Sequence, residues 1–470
     1  MSRWLDVAQK GLSQNNAPRK RVLILGAGIA GLVAAYELLK AGHTPLILEA
    51  QNRLGGRIFT MRAPFAQGLH AEAGAMRIPN THDLTWHYIN HFGLETFPFT
   101  MGNPNAYVYL HGKKIRVQQY RDTSELLEQD LADHERTSTV QAMWSESIRE
   151  FVEMVAARGD AAWDEIVAKY DNYSTREFLE EKKWSEGAIE LFGLMENQEA
   201  NMNFSFVELL REEVGEFYTN LSQIKGGTDR LPYAFYPTLA QYIRLGAEVV
   251  ALDQTGHDVT AHYRTLAGRF SEKADYMICT LPFAVLRHVE ILQPFTRPKQ
   301  KAIRQLHYDA STKIFIQCRR RFWEEDENIF GGGTVTDLAI RNLYYPEHGQ
   351  ETGRGVLLAS YTWADDAERW ASLPPRDRLE QALENIAHIH PQIVHEYEGG
   401  ASWSWHDDPH AGGAFAMFEP GQQIRLYADI IRPEGRIHFA GEHASLAHAW
   451  IQGSIESGLR AASEINEIEG

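Results

Sequence analysis

Three glycines near the start of the sequence have the spacing of a turn that binds a dinucleotide. Gly26, Gly28 and Gly31 follow an apolar run typical of a β-strand and open a run typical of an α-helix. In this pattern the first glycine permits a tight turn, the second lets the backbone approach a pyrophosphate, and the third lets helix and strand pack closely. Glu49 ends the next apolar run, at about the offset of a carboxylate that binds a ribose hydroxyl. Because a helix N-terminus also attracts anions, the segment predicts a bound dinucleotide.

Two further segments distinguish between the possible dinucleotides. Gly55, Gly56 and Arg57 come just after the predicted βαβ unit, where the arginine would neutralise a pyrophosphate from a second side. A site that binds NAD alone does not require such a pair of glycines followed by an arginine. Near the other end of the chain, Gly441 and Glu442 end a predicted strand that precedes another helix. In this order the segments resemble the flavin-containing amine oxidase superfamily, whose cofactor is FAD.

The resemblance assigns a set of residues to the FAD site. It implies cofactor contacts from Gly26, Gly28, Ile29, Ala30, Gly31, Glu49, Ala50, Gly56, Arg57, Gly74, Met76, Arg77, Val249, Gly441, Glu442, Trp450, Ile451 and Ser454. Val249 falls where the family contacts adenine, and residues 224–229 are similar to its central glycine-rich segment. No cysteine stands in the C-terminal flavin region, so we expect FAD to be held non-covalently.

Within the superfamily the chain is most similar to L-amino acid oxidases, over nearly its whole length. An amino acid differs from a bare amine in its carboxylate, which requires a fixed cation, ideally an arginine that makes two hydrogen bonds. Arg77 matches the family's carboxylate-binding arginine. Tyr361 matches a second donor to the same carboxylate, although a tyrosine on a strand fits a core position equally well.

Other matches would surround the rest of the substrate. Trp450 corresponds to an aromatic residue beside the substrate amine, and Ala449 precedes it. Trp363 and Ala414 match positions that line the side-chain pocket. A tryptophan opposite a small alanine indicates room for an aromatic or large apolar side chain.

Lys313 matches a lysine that in the superfamily holds a water near flavin N5. Burial would tune its amine, and a cation there would help oxygen to reoxidise the flavin. The alternative is an ordinary solvated lysine at the start of a strand. Lys313 and Trp450 are therefore the predicted catalytic residues. The family has an arginine a few residues earlier, where this chain has Asp309, so no role is assigned at that position.

The resemblance implies oxidative deamination of L-amino acids by hydride transfer from Cα to flavin N5. The substrates would be an L-amino acid, O2 and water, and the products a 2-oxo acid, ammonia and hydrogen peroxide. One alternative is another enzyme of the superfamily: an amine or polyamine oxidase, or an amino-acid monooxygenase that releases an amide. A second alternative is a non-catalytic FAD-binding protein.

Hydrophobic periodicity predicts the elements that position these residues. Residues 21–49 form a strand, a helix and a strand, whereas the chain from about Ser124 to Glu216 is mainly helical. Capping boxes are predicted at Ser174/Glu177 and at Ser205/Glu208. One helix in this segment is expected to bury a face made by Trp144, Ile148, Phe151, Val152 and Val155.

The remaining chain predicts short strands and two long helices. The strands are expected at 248–252, 258–263, 275–281, 313–318, 355–363 and 436–440, and the helices at 376–389 and 453–468. The predicted fold class is α/β, with a discontinuous Rossmann-like FAD-binding domain, a mixed-sheet substrate domain and a helical insertion domain. Their bounds are 19–70, 222–290 and 421–470 for the first, 71–118 and 291–420 for the second, and 119–221 for the third.

Composition limits the partners. A formal charge of −17 over 470 residues disfavours nucleic acid and anionic lipid. The first twenty residues lack the apolar stretch of a signal peptide and no later run is long enough to span a bilayer, so we expect a cytoplasmic protein. We also expect a homodimer or higher homo-oligomer. Cys279 and Cys318, both in apolar runs, predict buried thiols.

The twenty histidines do not predict a metal site. His87 and His91 are four apart on a predicted helix, but Tyr88 stands where a HExxH motif has its glutamate. No cysteine cluster supplies further ligands. We therefore expect no metal.

Overall fold

A parallel five-stranded sheet forms one side of the molecule in the computed structural model, which describes residues 3–13, 18–122 and 130–468. Its strands lie in the order Ile243–Arg244, Thr44–Leu48, Arg21–Leu25, Tyr276–Cys279 and Ile437–Phe439. Leu25 lies beside both Leu48 and Cys279, so the carboxyl ends of these strands share one edge. The α/β fold with a sheet assembled from distant segments is therefore confirmed.

A mixed seven-stranded sheet forms the second layer. Its order is Tyr397–Ser404, Ser311–Cys318, Gly355–Trp363, Asn342–Tyr344, Gly333–Thr336, Tyr107–Leu110 and Lys113–Arg116. Ser311–Cys318 is buried along its whole length, and antiparallel strands pair with both of its edges. The strand Tyr397–Ser404 was not predicted.

Smaller sheets complete the strand inventory. A four-stranded sheet contains Gly268–Ala274, Val259–Thr265, Glu248–Gln254 and Glu290–Ile291, and a three-stranded sheet contains Ile78–Pro79, Leu221–Ile224 and Thr96–Pro98. Two pairs are formed by Thr60–Met61 with Ala71–Glu72 and by Tyr308–Asp309 with Phe415–Ala416. The strand Gly268–Ala274 was missed because most of its side chains are exposed.

Helices surround these sheets. The α-helices are Arg3–Lys10, Ile29–Lys40, Asp83–His91, Val117–Asp122, Val140–Arg158, Ala161–Tyr170, Thr175–Glu181, Glu186–Met195, Phe206–Val214, Arg230–Ala234, Tyr236–Leu239, Phe283–Leu286, Arg297–Gln305, Phe322–Glu325, Ala364–Ala371, Pro375–Ile389, Ile393–Glu396, Gln422–Ile431 and Ile451–Glu467. Short 3-10 turns lie at Glu199–Asn201, Ala240–Tyr242, Gln350–Thr352 and Glu442–Ala444. Within the described ranges, no helix has the length and apolar character needed to cross a membrane.

The helical segment differs from its prediction at Val152 and at one of its two capping boxes. Its predicted start at Ser124 lies outside the described residues, and the helix Val140–Arg158 buries Trp144, Ile148 and Phe151 but leaves Val152 42% exposed. The capping box at Ser174/Glu177 is confirmed. The one at Ser205/Glu208 is wrong, because Ser205 caps no amide with its side chain and Glu208 accepts a hydrogen bond from His448 instead.

The two ends of the chain pack against each other. A Cβ on Gly458, in the last helix, would lie 2.5 Å from the carbonyl oxygen of Ala30 in the second helix, so only glycine permits this approach. Lys20 Nζ reinforces the contact by donating to the carbonyl oxygens of Ile465 and Ile468, each at 2.6 Å. The packing brings the N-terminus of the last helix to the carboxyl edge of the parallel sheet. Cys279 and Cys318 are buried free thiols, as predicted.

Candidate active site

A cavity of about 530 Å³ lies between the parallel sheet, the seven-stranded sheet and the helical segment. Each predicted site residue lines it except Gly31. The lining includes Gly26, Gly28, Ile29, Ala30, Glu49, Ala50, Gly56, Arg57, Gly74, Met76, Arg77, Val249, Lys313, Tyr361, Trp363, Ala414, Gly441, Glu442, Ala449, Trp450, Ile451 and Ser454. Residues separated by more than 400 positions in sequence therefore share one wall.

The glycines at one end of the cavity have separate roles. A Cβ on Gly28 would meet nothing within 4 Å, so its backbone borders open space. A Cβ on Gly31 would lie 2.2 Å from the carbonyl oxygen of Gly26. Gly31 therefore serves the packing of helix on strand, as its position in the motif predicts, and does not itself face the cavity.

Glu49 is fixed where the parallel strands end. Its carboxylate accepts hydrogen bonds from the backbone N–H groups of Ala27, at 2.7 Å, and Gln51, at 2.8 Å. Burial raises the pKa of Glu49, and these two hydrogen bonds oppose the rise. The carboxylate is thus held rigidly beside the glycine turn, at the place where a ribose would lie.

Two arginines follow Glu49 into the cavity. Arg57 Nη1 donates to Glu442 Oε1 at 2.7 Å, and Arg53 Nη1 donates to the carbonyl oxygen of Gly56 at 2.7 Å. Arg53 Nη2 is buried without a hydrogen-bond partner in the described structure. A buried N–H group of this kind needs an acceptor, and a pyrophosphate oxygen is one. Open space at Gly28, the fixed carboxylate and this donor fit FAD.

Glu442 joins segments from three parts of the chain. Besides Arg57, it accepts hydrogen bonds from the backbone N–H groups of Ala416 and Ala449, both at 3.2 Å. Burial by itself would raise the pKa of Glu442, but Arg57 and His448 hold it below its usual value. The carboxylate therefore positions Ala449, which has a left-handed φ of 65°, directly before Trp450.

Lys313 and Tyr361 lie opposite each other on adjacent antiparallel strands. Lys313 is 3% exposed, and its Nζ donates to the carbonyl oxygens of Gly74, at 2.7 Å, and Glu72, at 3.1 Å. Burial lowers the pKa of Lys313 to about 7. A solvated lysine at a strand start is therefore not what the structure contains.

Arg77 presents its guanidinium group to the cavity. One of its nitrogens lies 3.0 Å from Met101 Sδ, and its Cζ lies 5.1 Å from the ring centroid of Tyr218. Among the residues that the structure describes, no carboxylate lies within 4 Å of this group to form an ion pair. A cation without a counter-ion in a cavity wall makes an anion site.

Trp450 and Tyr218 both donate hydrogen bonds to the carboxylate of Glu212, which was not among the predicted site residues. Trp450 Nε1 donates to Glu212 Oε1 at 2.6 Å, and Tyr218 Oη donates to Glu212 Oε2 at 2.7 Å. Burial raises the pKa of Glu212, while the two donors and nearby Arg77 lower it. The helix spacing of Glu208 and Glu212 was the available signal, because residues four apart share a helix face.

Other lining residues also lay outside the predicted site. From the helical segment they are Gln198, Asn201, Glu208, Leu209, Glu212 and Tyr218. Trp363, which was predicted, packs its ring edge against Tyr361 at 5.0 Å between centroids. The helical segment therefore closes the cavity on the side away from the glycine turn.

Comparison with known proteins identifies the fold and the family. The flavin-containing amine oxidoreductase family matches residues 29–466. The chain belongs to this family. Its cofactor is accordingly FAD.

Several relatives and solved structures resemble the whole chain. A Bacillus subtilis protein named "Putative L-amino-acid oxidase YobN" is 40% identical, covering 99% of this chain and 98% of its own. An L-amino-acid oxidase of Vipera ammodytes ammodytes is 35% identical, with coverage of 98% and 96%. The structure of cyclohexylamine oxidase from Brevibacterium oxydans superposes with a TM-score of 0.76 at 19% identity, covering 96% of this chain and 99% of that chain. The last comparison supports the fold alone.

Proposed function

We propose that the chain catalyses the oxidative deamination of L-amino acids, consuming O2 and water and producing a 2-oxo acid, ammonia and hydrogen peroxide. The observation that carries this proposal is Arg77, a cation that faces the cavity without a carboxylate partner in the described structure. A bare amine offers that cation nothing to bind, whereas an amino acid offers its carboxylate. The names of the two relatives reported above support the same substrate class.

The residues of the cavity would orient the substrate. Its carboxylate lies on Arg77 and Tyr361, and its neutral amine beside Trp450 and the backbone of Ala449. Bound FAD would supply the acceptor for the hydride that leaves Cα and the route by which two electrons reach O2. Orientation and exclusion of water are the main contributions of the protein. An aromatic or large apolar side chain of the substrate would lie between Trp363 and Ala414.

Product analysis tests the proposal against its nearest rivals. We expect hydrogen peroxide and 2-oxo acid from L-amino acids, and no turnover of their D-enantiomers. An amide product would indicate a monooxygenase, and peroxide from amines but not from amino acids would indicate an amine or polyamine oxidase. A flavin-loaded protein that yields no peroxide from any amino acid or amine would indicate a non-catalytic role.

Two physical properties belong to the same proposal. FAD is held without a covalent bond, so unfolding and filtration should release all of it into the filtrate. The chain forms a homodimer or higher homo-oligomer, which light scattering on the purified protein tests. Flavin retained on the unfolded chain, or a monomeric mass, would contradict the corresponding part.

Lys313 should control the reaction with oxygen. A single charged donor next to a reacting centre contributes about 100-fold, so we expect Lys313→Met to slow reoxidation by about that factor and to leave anaerobic reduction by substrate nearly unchanged. Because the pKa of Lys313 is about 7, the ammonium form is lost as pH rises through that value. Reoxidation measured by stopped flow should therefore fall above pH 7 in the original protein.

The matched control for this prediction is an exposed lysine. Lys273 has a side chain that is 63% exposed and pairs with Asp258, so Lys273→Met should retain the rate and pH profile of the original protein. If Lys313→Met shows the same fall above pH 7 as the original protein, another group is responsible for it.

A further inference from the structure

Glu212 is a carboxylate placed in the wall of the substrate cavity without an ion-pair partner in the described structure. Its two oxygens accept one hydrogen bond each, from Trp450 and from Tyr218. Both donors are neutral, so they orient the carboxylate without cancelling its charge. No lysine or arginine nitrogen of the described residues lies within 4 Å of it.

A second hydrogen-bond acceptor, Asn201, belongs to the lining of the same cavity as Glu212. Asn201 is 4% exposed, and its Oδ1 is buried without a donor in the part of the chain that the structure describes. Glu208 lies one helical turn before Glu212, and its charge is already paired with His448, whose Nδ1 lies 3.0 Å away. Glu212 and Asn201 therefore face the cavity with capacity for a donor that the protein does not provide.

Binding of the substrate would increase the need of Glu212 for a positively charged partner. Burial raises the pKa of Glu212, and Arg77 is a cation that opposes this rise. On the proposed function, Arg77 binds the substrate carboxylate, so its positive charge is then shared with another anion. A carboxylate kept away from water is costly unless a cation approaches it, and the substrate itself is the available source.

We propose that Glu212 and Asn201 form a subsite for a cationic group at the end of the substrate side chain. The favoured substrates are then L-amino acids with a long aliphatic stem that ends in a guanidinium or ammonium group. The stem packs on Trp363, and the cationic end donates to Glu212 and to Asn201 Oδ1. This inference rests on the proposed oxidase function, and it adds a cationic end to the apolar stem that Trp363 and Ala414 would accommodate.

Steady-state kinetics with matched substrates tests the subsite. L-Lysine and L-arginine are compared with L-norleucine, which keeps an aliphatic stem but lacks a charge. We expect kcat/KM for a cationic substrate to exceed that for L-norleucine by at least about tenfold, the size of one charged hydrogen bond. Glu212→Gln should lower it by about 30-fold for the cationic substrates and by less than about threefold for L-norleucine.

A neighbouring carboxylate provides the control. Glu213 does not line the cavity, and burial raises its pKa to about 7, so Glu213→Gln should leave the ratio between lysine and norleucine unchanged. If Glu212→Gln fails to retain FAD, Asn201→Leu tests the same subsite, with an expected selective loss for cationic substrates.

The outcomes separate this inference from the function on which it rests. An equal loss for all substrates in Glu212→Gln would show that the carboxylate acts on the shared α-amino group or on Trp450, and would overturn the subsite. Faster turnover of L-norleucine than of L-lysine and L-arginine by the original protein would also overturn it. Absence of peroxide with every L-amino acid would instead contradict the proposed function.

Discussion

Replacing Arg77 with alanine should lower kcat/KM for L-amino acids by about 100-fold. Two charge-assisted hydrogen bonds to the substrate carboxylate, at about 1.5 kcal/mol each, give about 3 kcal/mol, and each 1.4 kcal/mol is a factor of ten. The loss should appear mainly in KM, because the carboxylate is bound equally in the ground state and the transition state. Initial rates of peroxide formation over a range of substrate concentrations measure it.

Two controls show whether the loss comes from the carboxylate. Arg77→Lys keeps the charge but loses the planar fork, so its activity should lie between those of the original protein and Arg77→Ala. An amine that corresponds to the substrate without its carboxylate should be oxidised equally slowly by all three. An unchanged KM for amino acids in Arg77→Ala would show that the carboxylate lies elsewhere.

Substitutions at Gly31 and Gly28 should separate folding from cofactor binding. Gly31→Ala places a methyl group 2.2 Å from the carbonyl oxygen of Gly26, and forced overpacking of this kind costs up to about 3 kcal/mol. We expect this variant to unfold at a lower temperature even without flavin. Gly28→Val adds its side chain to open space in the cavity, so the apoprotein should remain stable while FAD binds at least about 100-fold more weakly.

Thermal unfolding of the apoproteins and titration with FAD measure the two effects. Gly256→Ala is the control, because a Cβ there meets nothing within 4 Å and the residue does not line the cavity. Its stability and flavin affinity should match those of the original protein. If Gly28→Val binds FAD normally, the pyrophosphate does not approach this turn.

Short local sequence patterns predict only part of the site. The glycine spacing from Gly26 to Gly31 reflects backbone geometry within a single turn. The pairing of Lys313 with Tyr361 was not predicted, because the register of their two strands shifts at a bulge between Ile314 and Phe315. The helical segment has no comparable pattern. Glu212 reaches the cavity because its helix packs against distant strands, and that packing depends on contacts that periodicity does not contain.

The failed predictions have the same cause. Glu208 has the spacing of a capping box, but the buried His448 provides a partner 240 positions away, and the carboxylate turns towards it. Val152 has the spacing of a buried face, yet its helix borders solvent there. In both cases a local preference is overridden by what the rest of the molecule places nearby.

The ion pair between Arg57 and Glu442 has a consequence for biosynthesis. A ribosome adds the first βαβ unit early, yet it adds Glu442 and the helix that follows Trp450 more than 380 residues after Arg57. N-terminal segments tend to fold first during synthesis. Until the segment with Glu442 has been synthesised, the cavity beside this unit therefore remains open on one side. We therefore expect flavin loading to be a post-translational event. Nascent chains stalled before residue 440 should not retain FAD, and released chains that contain the helix Ile451–Glu467 should do so.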